Sequence, residues 1–182
     1  MNGEMMTSMT NREMAGILFN IATLLRRAGN TNPYRTAAYE RGARALMGYP
    51  DEAAQVLETE RRIPFRQRQH IGKKLQAKIR EMVNTGALDQ YAQMLADLPP
   101  HLAGLMTISG IGPKTAEQIH QALGISTEAE LVAAARTGRL RQVRGFGVKR
   151  TAAITTLPVR LSGTTLRSAQ MQMSLFDLPR AA

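Results

Sequence analysis

The chain has 182 residues, enough for one compact domain or two small ones, and apolar residues make up 43% of it, enough for a real core. With 24 Lys and Arg against 14 Asp and Glu it carries a net charge of +10, which points to a polyanionic partner. The absence of Cys excludes a disulfide framework and a thiolate metal site.

Aromatic content is only 4% and there is no Trp, so aliphatic and Met side chains must fill the core. That composition suits helices better than sheets. The three histidines, His70, His101 and His120, lie far apart without paired-ligand spacing, so no metal site is expected. No apolar run approaches membrane-spanning length. The N-terminus shows no basic region followed by an apolar stretch, so the expectation is a cytoplasmic, nucleoid-associated protein with no membrane partner.

In chain order, residues 1–10 are expected to be disordered. Thr10-Asn11-Arg12-Glu13 has the spacing of a capping box. Ile17, Leu18, Ile21, Leu24 and Leu25 follow at helical spacing, and Gly29 closes this first helix. A second helix is predicted from about Pro33 to Met47, ending at Gly48, and a short third one from Asp51 to Glu60. Further helical stretches cover about Leu88 to Leu98 and Glu128 to Thr137, punctuated by Pro99-Pro100 and Gly138. No segment alternates at period two, so the fold class is all-α.

Three segments resemble one another: His70-Ile71-Gly72-Lys73-Lys74, Gly110-Ile111-Gly112-Pro113-Lys114 and Gly145-Phe146-Gly147-Val148-Lys149. Each joins a tight turn, an apolar residue, a Gly and a nearby Lys, and then opens a helical pattern. The repeat marks a small supersecondary unit present in two intact copies and one degenerate copy. Charge follows it. Arg61 to Arg80 holds eight basic residues and no acidic one, and so does Arg136 to Arg167, so 16 of the 24 cations lie in two stretches.

Such a turn exposes backbone N–H groups at a helix start, where the unpaired donors and the helix dipole favour an anion. Glycine lets the backbone approach closely, the Lys adds a full charge, and the apolar residue anchors the turn. The expected ligand is a nucleic-acid phosphate, gripped without reading bases. The candidate DNA-binding residues are Arg35, Gly72, Lys73, Lys74, Gly110, Ile111, Gly112, Lys114, Gly145, Phe146, Gly147, Lys149 and Arg150.

Gly110-Ile111-Gly112-Pro113-Lys114-Thr115-Ala116 resembles the helix-hairpin-helix signature of DNA repair proteins. With Asn32-Pro33-Tyr34-Arg35, Ala38-Tyr39, Gly86-Ala87-Leu88 and Gly138-Arg139-Leu140, the chain is similar to family X DNA polymerases over residues 11 to 157. The resemblance implies a helical lyase-like domain with the first, degenerate hairpin over 11–90. A tandem helix-hairpin-helix region follows over 91–157. It also implies a monovalent cation at the hairpin backbone, with no other cofactor. The family's polymerase chemistry needs carboxylates to hold two metal ions. This chain has no Asp-x-Asp pair, so nucleotidyl transfer is not expected.

In that family a lysine of the first hairpin's helix forms a Schiff base with an abasic sugar. The motif falls on Gly72-Lys73-Lys74-Leu75-Gln76-Ala77-Lys78-Ile79, which makes Lys78 the candidate nucleophile and Lys74 a phosphate ligand. The resemblance gives Tyr39 the role of lining the lyase pocket. At about 100° per residue, Ile71, Leu75, Ile79 and Met82 form an apolar stripe, and Lys78 falls roughly 60° from Leu75, at its edge. The sequence departs from the family at Arg68, Gln69 and His70, which replace Leu-Pro-Gly, and at Ala77, where some members carry an acidic residue.

Residues 158–182 read as a linker rich in Ser, Thr and Gly, then a flexible tail. Its Gln172-Met173-Ser174-Leu175-Phe176 resembles the peptide by which bacterial repair and replication proteins bind the sliding clamp. Leu175 and Phe176 would anchor in an apolar pocket, and Gln172 would set the register. The leading expectation is sequence-independent, structure-sensitive DNA binding in repair, tethered to the clamp. The alternatives are a deoxyribose-phosphate or abasic-site lyase, and an adaptor that brings a separate polymerase or nuclease to DNA.

Overall fold

A computed structural model of the chain describes residues 9–60 and 71–155. All regular structure among these residues is helical, as the composition predicts. They fall into two compact units, which divide between Thr127 and Glu128. The second hairpin lies in the first unit and the third in the second.

The first unit begins with α1, Asn11–Arg27, opened by the expected capping box. Thr10 Oγ1 accepts from the Glu13 N–H, and the Thr10 N–H donates back to Glu13 Oε2 at 2.9 Å. The fully buried face of α1 is Met14, Leu18 and Ile21; Ile17 is only half-buried. Helix α2 is Pro33–Met47, with Pro at its first position and the Asn32 side chain accepting from the Arg35 N–H. Helix α3, Ala53–Glu60, starts two residues later than the sequence suggests. Asn11, at the start of α1, decides that boundary. Its Oδ1 accepts from the Ala53 N–H at 2.9 Å, and its Nδ2 donates to the Asp51 carbonyl at 2.7 Å.

Helix α4, Lys73–Thr85, buries Leu75, Ile79 and Met82, and Ile71 just before it is also buried, so the predicted stripe forms. Leu75 reaches α2 where Gly42 has no side chain: a Cβ there would stand 2.4 Å from Leu75 Cδ2. Helix α5, Asp89–Ala96, buries Tyr91 and Leu95. Helix α6, Pro100–Met106, was read as mere punctuation from Pro99-Pro100. Proline is tolerated at a first helical position, where its missing N–H would be unpaired anyway, so Pro100 starts a helix here. Helix α7, Pro113–Leu123, ends at Gly124, whose φ of 67° is left-handed.

The second unit contains α8, Glu128–Arg136, a short 3-10 helix, Arg139–Gln142, and α9, Val148–Thr155. Leu131, Val132, Ala135, Leu140, Val143, Phe146 and Ile154 form its core. Each large aliphatic or aromatic residue so buried contributes about 1.5–3 kcal/mol.

Candidate nucleic-acid interface

The second and third hairpins have one hydrogen-bond skeleton. In the second, the Ile108 N–H donates to the Leu105 carbonyl, the Ile111 N–H to Ile108, and the Ala116 N–H to Gly112, at 3.3, 3.1 and 2.9 Å. Thirty-five residues downstream the Val143 N–H donates to Leu140, Phe146 to Val143, and Thr151 to Gly147, at 3.1, 3.1 and 3.0 Å. Gly110 and Gly145 occupy the same place in the turn, with φ of 81° and 91°. Left-handed backbone strains any L side chain, so both positions require glycine for the turn itself. Ile111 and Phe146, the apolar residues between the glycines, are 1% and 2% exposed and anchor their turns in the core.

The described part of the first hairpin keeps the downstream half of this pattern. Ile71 is buried, and the Gly72 carbonyl accepts from the Gln76 N–H at 3.1 Å, as Gly112 does from Ala116. His70, with the other replaced residues before it, lies outside the described residues. In all three copies the lysine stands two residues after the glycine, so Lys74, Lys114 and Lys149 are each the second residue of their helix. All three are exposed, and no acidic side chain pairs with them among the described residues. Neither Gly72 nor Gly112 has a side-chain cap. A helix start with uncapped N–H groups and an adjacent ammonium is suited to an anion.

The remaining predicted residues divide. Arg35, Gly72 and Lys73 are exposed as expected. Arg150 instead turns back on its own hairpin: its guanidinium lies 4.3 Å from the Phe146 ring centroid and Nη1 donates to the Gly145 carbonyl at 3.4 Å. The second unit presents Arg136, Arg139, Arg141, Arg144 and Lys149 as exposed cations. Lys78 is half-buried at the stripe's edge, one helical turn beyond Lys74. Tyr39 packs inside at 6% exposure, its hydroxyl donating to Gln90 Oε1 at 2.9 Å. The exposed tyrosine of α2 is Tyr34, at 80%, beside Arg35.

Gly112 has a second role that the sequence does not disclose. A Cβ there would stand 2.9 Å from Asn20 Oδ1, so the missing side chain makes room for α1. Helix α1 holds the second hairpin at two points, its turn and α7. Asn20 Nδ2 donates to the Ile111 carbonyl at 3.1 Å, and two turns on, Arg27 makes two hydrogen bonds to Glu117, at 2.6 and 3.1 Å. The Arg27 guanidinium holds the Glu117 carboxyl below its ordinary pKa, mainly through the hydrogen bond. Asn20 and Tyr91 were absent from the sequence expectations because they lie far along the chain from the hairpin they touch.

Gly147 and Gly72 isolate the close approach of DNA from the shape of the turn. A Cβ at either meets nothing within 4 Å, and neither has a positive φ. Gly147→Leu and Gly72→Leu should each weaken DNA binding by about tenfold, as expected for one lost charge-assisted hydrogen bond. Melting temperatures should move by only a few degrees, the cost of a poorer helix start. Fluorescence anisotropy and thermal melts on the two variants check both halves.

Among the described residues no helix is long and apolar enough to cross a membrane, and no three potential metal ligands cluster. Residues 9–88 match the family model of a helix-hairpin-helix domain, and residues 103–155 match that of a SAM-like helix-hairpin-helix tandem. Comparison with curated proteins gave no match. The chain thus carries a helix-hairpin-helix region in each matched segment, of the kind that binds DNA without reading its sequence.

Proposed function

We propose that the protein binds DNA in repair, in a way that depends on DNA structure rather than sequence, and that its tail tethers it to the sliding clamp. The observation that carries this reading is the repeated hairpin, with the same backbone skeleton and the same Gly-x-Lys register at successive helix starts. A backbone grip of this kind holds phosphates and carries no base readout of its own. The tail residues Gln172 to Phe176 lie outside the described residues, and their part rests on the sequence resemblance. Affinity for duplexes of equal length and shape but unrelated sequence should agree within about threefold, the scale of phosphate-only recognition. A competition panel of such duplexes, with gapped, nicked and flapped forms alongside, tests it. Strong preference for one base sequence overturns the reading.

A second reading, lyase activity, is favoured by one observation. Lys78 is half-buried on α4, one turn from Lys74, so a sugar whose phosphate sits at the helix start lies within its reach. In that reading Lys78 Nζ attacks the C1′ aldehyde of a ring-opened abasic sugar, and water leaves to give an iminium. Loss of a C2′ proton then breaks the C3′–O bond and releases the phosphate, and hydrolysis returns the lysine. Borohydride should therefore trap an adduct with a 5′-deoxyribose-phosphate end, and Lys78→Ala should remove most of it. Absence of any adduct from the unmodified chain, on DNA it demonstrably binds, leaves the binding reading alone. The adaptor reading, in which the chain delivers a separate polymerase or nuclease, calls for the same DNA contacts and adds a protein partner.

A further inference from the structure

The second hairpin is tied through its carbonyls to side chains of helices outside it. From Gly104 to Gly112 the carbonyl oxygens of Gly104, Leu105, Met106, Ile108, Ile111 and Gly112 all accept hydrogen bonds. Two of these bonds come from side chains of other helices. Tyr91 Oη donates to the Met106 carbonyl at 2.9 Å, and Asn20 Nδ2 donates to the Ile111 carbonyl at 3.1 Å. Asn20 Nδ2 also lies 2.9 Å from Tyr91 Oη, so the hydroxyl accepts from the amide while donating onward. One chain of bonds thus runs from the end of α6, through α5 and α1, to the anchor of the turn. This relay places a donated proton on a carbonyl at each side of the turn.

We infer that Asn20 and Tyr91 are positioning residues that hold the second hairpin in its phosphate-binding shape. Both ends of the turn are tied to fixed helices. Tyr91 is deeply buried, which pushes its phenol up to about 12, so the hydroxyl keeps its donating proton throughout the neutral range. Gly112 belongs to the same device, since any side chain there would collide with Asn20. The turn is then preformed, and binding a phosphate does not have to order it.

The inference rests on the DNA-binding reading, and one experiment separates their failures. The full chain is titrated onto a labelled gapped duplex at one ionic strength, well below the melting temperature. Tyr91→Phe should weaken binding by about tenfold, the scale of a lost buried hydrogen bond and a turn left free to move. Its effect should be non-additive with Lys114→Ala, on the same hairpin, and additive with Lys149→Ala, on the other. Asn20→Leu supplies the same comparison should Tyr91→Phe not fold. A lowered melting temperature with unchanged DNA affinity, or additivity with Lys114→Ala, overturns the positioning role. No binding by the unmodified chain, or no effect of Lys114→Ala, overturns the DNA-binding reading beneath it.

Discussion

Raising salt from about 50 to about 200 mM should weaken DNA binding about a hundredfold or more, because each neutralised phosphate contributes a slope of about −0.9 on the logarithmic salt plot. Lys74, Lys114 and Lys149 provide three exposed ammonium groups at helix starts, and the second unit adds exposed arginines. About four phosphate contacts already give that loss. The double change Lys114→Ala and Lys149→Ala should lower the steepness by about 1.8, whatever duplex is used. A surface ion pair elsewhere, such as Arg27–Glu117, should not contribute, since its cation is already compensated. Isothermal titrations at several salt concentrations measure the slope directly. A slope near zero would mean that the grip is not electrostatic and would remove the hairpins from the account.

Replacing Leu175 and Phe176 together by alanine should abolish capture of the chain by a bacterial sliding clamp. Each of the two would lose burial worth about 1.5–3 kcal/mol, so the pair alone accounts for about a hundredfold or more. A peptide spanning Gln170 to Leu178 should bind the clamp without the rest of the chain. The same double change should leave DNA affinity within about twofold, because the altered residues carry none of the charge that neutralises phosphates. Surface plasmon resonance on immobilised clamp, with DNA titrations in parallel, reads both. A large fall in melting temperature for the double variant would place the two side chains in the protein's own core. No response from the peptide at high micromolar concentration would remove the tether.

Much of the first unit is legible from local sequence. The bounds of α2 follow from Asn32 as a cap, Pro33 at the first position and Gly48 at the end, all of which act within a few residues of themselves. The stripe on α4 and the apolar anchors Ile71, Ile111 and Phe146 are legible for the same reason: a helical period or a Gly-x-Gly turn specifies them. What sequence reading misses is long-range. The start of α3 is decided by Asn11, more than forty residues earlier. Helix α6 hides behind a Pro-Pro pair that ordinarily ends structure. The turn of Arg150 back onto Phe146, and the contacts of Asn20 and Tyr91 with the second hairpin, depend on packing that no local pattern encodes.

The second and third hairpins build the same backbone bonds from different side chains, with Pro113 and Thr115 in one at the places of Val148 and Arg150 in the other. The shape is therefore specified by two glycines, one buried anchor and a few main-chain bonds, and the outward positions are left unconstrained by it. Selection can alter the charge and bulk of one copy without touching the other, so a duplicated grip can diverge into a strong and a weak hold. Duplication thus separates the inheritance of a backbone shape from the tuning of the charge it presents.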